Sequence, residues 1–139
     1  NALNQSEIYG TLRAGRRAKL NLLKCTTNEL EASHTGYQHI GVKHTRTFSF
    51  GLDKIVITDK IIGKVPGKCS AFLHIDKKNR LVKKENELVS KFVNINFNNA
   101  SNIEVKENYY AIAFGKQLPC YVVKIDFSGE LVTTIRLNK

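Results

Sequence analysis

From Val42 onward the chain alternates in twos. Val42, His44, Arg46, Phe48 and Phe50 share one parity, while Lys43, Thr45, Thr47 and Ser49 take the other, as in a strand with two unlike faces. Gly51-Leu52-Asp53 predicts a turn, and KIVITDKIIG (Lys54 to Gly63) then reads as a strand rich in β-branched residues. Val65-Pro66-Gly67 turns the chain again, KCSAFLHI (Lys68 to Ile75) is another strand, and Asp76-Lys77-Lys78-Asn79 is a polar turn into the short RLVKK. Val93, Ile95 and Phe97 alternate with Asn94 and Asn96, which predicts a half-exposed strand. Asn98-Asn99-Ala100-Ser101 reads as loop, and IEV and YYAIAF supply two further strands. The clearest hairpin is expected at the end. There Tyr121, Val123, Ile125 and Phe127 alternate, Ser128-Gly129 turns, and Leu131, Thr133, Ile135 and Leu137 alternate back. RRAKLNLLKC and ELEASH add to the N-terminal third.

No window gives a convincing amphipathic helix, and both prolines, Pro66 and Pro119, fall at turns or strand starts. About ten short strands at regular spacing predict an all-β fold, an antiparallel β-sandwich with little or no helix. The chain has no repeat, linker or low-complexity stretch, so residues 1–139 are expected to form a single domain.

Composition narrows the class. The 42% of hydrophobic residues suffices for a core in a chain of 139 residues and excludes wholesale disorder. No apolar stretch approaches the ~20 residues of a membrane-spanning helix, and the first segment lacks the apolar region of a signal peptide. With 22 Lys+Arg against 12 Asp+Glu, the formal net charge is +10. Such an excess favours polyanionic partners, whether nucleic acid, anionic lipid or acidic polysaccharide. The absence of methionine, including at position 1, predicts a processed chain or a fragment of a larger protein, with Asn1-Ala2 as a tag remnant.

The chemistry is spare. Cys25, Cys69 and Cys120 are far apart and read as small buried hydrophobes, which excludes a zinc ribbon or disulfide scaffold. His34, His39, His44 and His74 show no metal-ligand spacing, so no metal site is expected. His74, in FLHI, reads as a structural histidine on a sheet face, and KKNRLVKK (Lys77 to Lys84) as a solvated hairpin whose charges protect an edge. No nucleophile elbow, P-loop or dinucleotide fingerprint occurs, so no catalytic residue is assigned. His34 and Tyr37 in SHTGY suit a ligand-contacting rim or a packed loop aromatic. Arg13, Arg16, Arg17 and Lys19 form a basic cluster in which alternation would set Arg17 and Lys19 on one strand face. Guanidinium forks there suit carboxylate or sulfate, although an ordinary solvent face fits equally well.

Two stretches together resemble the C-terminal part of the heparinase II/III-like polysaccharide lyases. They are NQSEIYGTLRAGRRAKL with EASHTGYQHIGVKHTRTFSF, and KIVITDKIIGK followed by FLHI. The family's pattern of a His-x-Gly-Tyr segment, a His-x-Arg strand, a Val-x-Asp-x-Ile-x-Gly strand and a Phe-His strand appears here as His34-Gly36-Tyr37, His44-Thr45-Arg46, Ile57-Asp59-Ile61-Gly63 and His74. The match covers about half the chain; the last third agrees only in strand pattern.

The resemblance implies an α-helical toroid followed by a β-sandwich, and β-elimination on uronic-acid polysaccharides in the bacterial periplasm, at the cell envelope or outside the cell. That reaction neutralises the uronate carboxylate, removes the C5 proton and protonates the leaving oxygen, work that Asn or His, Tyr, and His commonly perform. The family's catalytic groups and its metal-binding His-Asn-Thr stretch would lie before Asn1, so none is carried onto this chain. The resemblance implies no cofactor here, with any divalent metal in the preceding part. His34, Tyr37, His44, Arg46 and Arg17 are expected on the substrate side, with an acidic polysaccharide and the toroid as partners; sharing the parity of Phe48 and Phe50, His44 and Arg46 fit a contact with a neighbouring domain as the alternative. A non-catalytic carbohydrate-binding module is the alternative, although Trp is absent and Tyr109-Tyr110 point to opposite faces. Nucleic-acid binding is less favoured, because no recognition-helix, zinc or RRM signature occurs.

Overall fold

The structure, a computed structural model, describes the backbone at residues 7–8 and 14–15, and residues 17–64 and 67–138 in full. Arg13 and Arg16 of the basic cluster, Val65-Pro66 of a predicted turn, and Asn4-Gln5 lie outside the described residues. The strands are β1 (Glu7–Ile8), β2 (Ala14–Gly15), β3 (Leu20–Cys25), β4 (Glu29–His34), β5 (Lys43–Phe50), β6 (Lys54–Ile62), β7 (Cys69–Asp76), β8 (Val82–Lys84), β9 (Glu87–Val89), β10 (Val93–Ala113) and β11 (Lys116–Leu137). Two 3-10 turns, Gln38–Ile40 and Lys77–Asn79, are the helical elements among the described residues. The all-β antiparallel expectation holds.

β1 and β2 pair with each other, and the other nine strands form one antiparallel sheet. Its order is β3-β4-β5-β6-β11-β10-β9-β8, with β7 also paired to β11. β6 pairs with Glu130–Arg136 of β11, and β7 with Cys120–Phe127 of the same strand. β11 therefore belongs to two layers. The break is at a corner: the register with β10 passes from Asn98↔Val132 to Ala100↔Phe127, leaving Asn99 opposite Ser128 to Leu131. Asn99 and Gly129 take left-handed φ values of 66° and 73°, which the corner requires.

The sequence pattern placed a hairpin at Ser128-Gly129, and the structure corrects it. The true hairpin joins β10 to β11 through Phe114-Gly115, and Ser128-Gly129 bends a continuous strand instead. Asn98 to Ser101, expected as loop, lies within β10 for the same reason. A glycine with positive φ serves a tight turn or a bulge equally, so the local signal is the same.

Residues opposite one another across a ladder share a face, and the corner folds two apolar faces together. Leu88, Ile95, Phe97 and Leu131 come from the wide layer, and Ile103, Val123, Ile125 and Phe127 from the narrow one. Ala71, Leu73 and Ile75 of β7 pack against this cluster. Three strand segments make the narrow layer, so it does not extend over β3, β4 and β5. Leu20, Leu22 and Phe50 accordingly stay 72%, 60% and 45% exposed on the inner face. Of the cysteines, Cys120 is buried, Cys69 half-buried and Cys25 exposed, so Cys25 departs from the expected burial. Its strand β3 lies at the sheet edge, beyond the second layer.

Candidate functional site

The inner face of β4, β5 and β6 carries polar residues where the narrow layer ends. His34 sits directly opposite His44 in the β4–β5 ladder, and Arg46 directly opposite Asp59 in the β5–β6 ladder. His44 and Arg46 are two apart in β5 and so share that face. Asp59 has the parity of Ile57 and Ile61 and pairs across β11 with buried Leu131, which leaves it 3% exposed.

A continuous hydrogen-bond chain results. The Gly36 amide donates to His34 Nδ1 at 3.1 Å, and His34 Nε2 meets His44 Nδ1 at 3.0 Å. His44 Nε2 reaches Asp59 Oδ1 at 2.6 Å. Arg46 closes the chain with a fork, Nε to Oδ1 at 2.7 Å and Nη2 to Oδ2 at 3.1 Å. Tyr37 lies edge-on to His34 with ring centroids 5.3 Å apart.

The donors dictate the tautomers. A backbone N–H only donates, so His34 Nδ1 is an acceptor and its proton is on Nε2. That proton is given to His44 Nδ1, so the His44 proton is on Nε2 and goes to Asp59. One amide thus orients two neutral imidazoles toward one carboxylate.

The electrostatics agree. Burial alone would push the Asp59 carboxyl up, but hydrogen bonds from His44 and Arg46, with the charge of Arg46, hold it below the usual carboxylate range. Burial lowers His34 below its ordinary 6.5, and His44 and Arg46 push the same way. Burial, with Cys69 nearby, raises the Tyr37 phenol above 10.0, so it is protonated at neutral pH.

This arrangement limits the chemistry available. All four ring nitrogens of His34 and His44 are engaged, leaving no imidazole lone pair for a metal or for proton abstraction. Among the described residues no three His, Cys, Asp or Glu side chains gather as a metal-ligand set. Arg46 differs: its side chain is 43% exposed, and its guanidinium N–H groups beyond those given to Asp59 have no hydrogen-bond partner among the described residues. Positioned by a buried carboxylate, it has donors of the kind that can pair with one carboxylate or sulfate.

The structure therefore brings four of the five expected residues, His34, Tyr37, His44 and Arg46, into one array. Among the described residues, no hydrogen bond or ion pair joins Arg17 to it. Residues 17–19 precede β3 rather than forming a strand, so the predicted shared strand face of Arg17 and Lys19 is not formed. Arg17 is exposed, two residues before the Lys19 amide that donates to Thr35 Oγ1 at 2.9 Å. His74 is exposed on the outer face of β7 beside Phe72, while KKNRLVKK forms a 3-10 turn and the edge strand β8. Sequence reasoning saw Asp59 only as part of a strand motif and missed it as the anchor. The available signal was an acid on the apolar parity of a β-branched strand.

The fold and array define an all-β sandwich module whose inner sheet face holds a closed His-His-Asp-Arg chain. The heparinase II/III-like C-terminal family matches residues 1–123, and the chain belongs to that family. Among solved structures it is similar to a heparinase III, with a TM-score of 0.71 at 14% identity over 90% of this chain and 22% of that one. It is also similar to the heparan sulfate lyase HepC from Pedobacter heparinus, with a TM-score of 0.67 at 16% identity over 89% of this chain and 22% of that one. The chain spans about a fifth of the length of these structures. No curated protein matches it by sequence.

Proposed function

We propose that this chain is the C-terminal β-sandwich of a polysaccharide lyase that cleaves uronic-acid polysaccharide by β-elimination. The observation that carries this reading is the family match over residues 1–123. The sandwich supports the fold and one side of the substrate cleft, and the catalytic groups come from the rest of the protein. The engaged imidazoles favour that division, because neither is poised to take a proton. In this reading Arg46 meets the uronate carboxylate or a sulfate, Arg17 and Tyr37 line the approach, and His34 and His44 position Asp59 beneath Arg46.

The larger protein supplies an α-helical toroid, and any divalent metal it holds is bound there. The uncovered apolar face of β3 to β5 is the surface that the toroid side would cover. The protein works in the periplasm, at the cell envelope or outside the cell. None of the helical elements among the described residues is long and apolar enough to cross a membrane.

The test compares the protein from the full reading frame with the 139-residue chain on uronic-acid polymers, following the ultraviolet absorbance of the unsaturated product. Turnover by the longer protein and none by this chain is the expected result. No turnover by the longer protein on any uronate polymer overturns the lyase reading. Robust turnover by this chain alone overturns the division of labour.

A further inference from the structure

The outer face of the wide layer carries a second polar assembly, separate from the His-His-Asp-Arg chain. Asn94, Asn96 and Asn98 alternate along β10 with Ile95 and Phe97, which are 4% and 0% exposed. The three amides therefore stand in a row on a backbone that the core holds from behind. With Glu87 of β9 and Thr134 and Arg136 of β11, they line a pocket of about 290 Å³. The register is direct: Asn94 faces Arg136, and Asn96 faces both Thr134 and Glu87.

Strand formation does not account for these residues. Asn is among the poorest strand formers, and on a solvent face Thr or Lys would serve better. Nor does internal hydrogen bonding account for them. Asn94 Oδ1 accepts from Asn138 Nδ2 at 3.3 Å. Among the described residues, the six lining side chains make no other hydrogen bond or ion pair. The row presents amide donors and acceptors at intervals of ~7 Å, spanning ~13 Å in all, a length suited to a short oligosaccharide.

Charge refines the ligand. Arg136 faces Lys54 across the β6–β11 ladder, and neither is ion-paired among the described residues. Like charges directly opposite are unfavourable unless an anion bridges them. Glu87, on the other side of Asn96, repels a second closely spaced anion. The face thus fits a chain rich in hydroxyls with one carboxylate per few groups, and it disfavours dense sulfation.

We propose that Asn94, Asn96, Asn98, Thr134 and Arg136 form a glycan-binding subsite for sparsely charged uronate polysaccharide, with the carboxylate over Arg136 and Lys54 and hydroxyls over the amide row. The choice of a glycan rests on the lyase-domain reading; the location does not.

The test titrates the 139-residue chain with a hyaluronan hexasaccharide and, separately, a heparin hexasaccharide, following side-chain amide NMR signals. Asn96 and Asn98 amides should shift with hyaluronan, at lower concentration than with heparin. The N94T/N96T/N98T variant keeps strand propensity and should bind hyaluronan at least about tenfold more weakly, the loss of one to two net hydrogen bonds. Should that variant fold poorly, R136Q gives a second measure: it should abolish the preference for hyaluronan over a neutral cello-oligosaccharide. Unchanged affinity in either folded variant, or shifts confined to the inner face, overturns the subsite. Binding at the amide row with no turnover by the full-length protein upholds the subsite and sinks the lyase reading. Turnover with a silent amide row does the reverse.

Discussion

His44 stands directly across the β4–β5 ladder from His34, and the two imidazoles meet Nε2 to Nδ1 at 3.0 Å. Because the Gly36 amide occupies His34 Nδ1, a proton added to either ring puts two donors face to face somewhere along the chain. A proton on His34 confronts the Gly36 N–H. A proton on His44 Nδ1 confronts His34 Nε2–H. The array is built for two neutral rings.

Acidification should therefore destabilise the fold in two steps. The folded-state pKa of His34 is below its unfolded 6.5, so the unfolded chain takes up that proton first. Stability present above pH 6.5 is lost as pH falls from there toward the lowered value. Asp59 is also depressed. Its contribution is complete above the unfolded value of ~3.9 and is lost as pH falls through the folded one. Urea denaturation at intervals from neutral pH to about 2 should show both declines. His34→Gln, which retains a donor toward His44, should flatten the first and spare the second. An unaltered first decline in that variant would separate it from His34.

Asp59→Asn should cost about 2–3 kcal/mol in denaturant unfolding, since it removes the buried negative charge and sets an NH2 donor against the donors of His44 or Arg46 in place of one of the two acceptor oxygens. Its partner Arg46 is partly solvated, which keeps the figure below that for a wholly buried pair. Combined with Arg46→Gln, the double variant should lose less than the sum of the singles. Strict additivity in that cycle would show that the two side chains do not stabilise one another.

Two glycines should respond differently to alanine. Gly129, at the sheet corner, has φ 73° with nothing within 4 Å of an added Cβ, so Gly129→Ala carries only backbone strain. That strain is ~1–2 kcal/mol. At Gly63 φ is 119°, and an added Cβ would lie 2.2 Å from the Gly41 carbonyl oxygen. Gly63→Ala should therefore cost at least ~2 kcal/mol more. Equal costs in thermal or denaturant unfolding would contradict the close approach of these two turns.

The uncovered apolar face makes a contrast between the chain and the longer protein. Leu20→Ser with Leu22→Ser should change the stability of the 139-residue chain by no more than ~0.5 kcal/mol each, because both leucines are exposed. The same pair should reduce binding of a hydrophobic dye. In the full-length protein, where the face is proposed to be covered, each should cost ~1.5–3 kcal/mol. Equal small effects in both proteins would show that nothing docks there.

Alternation along the chain was enough to find most strands and the all-β class, because a half-buried sheet demands period two of its own residues. Residue types in SHTGY drew attention to His34 and Tyr37, and the family resemblance added His44 and Arg46. Asp59 escaped notice as their anchor because its role depends on β6 lying beside β5 in one particular register. The same local blindness split β11 at Ser128-Gly129. Those residues look like a hairpin turn until the long partner strand β10 is seen across them.

What the sequence alone determined is therefore the strand content, the basic charge and the family pattern, all carried by residue type and short-range spacing. Tertiary structure decided which alternating faces meet and how one sheet folds into two unequal layers. It also decided that two histidines, an aspartate and an arginine from three strands share their hydrogen bonds. Those outcomes depend on cross-strand register between residues 10 to 15 positions apart, and on a corner joining segments still farther apart. No local pattern encodes that pairing, since each strand presents the same period whichever neighbour it finds.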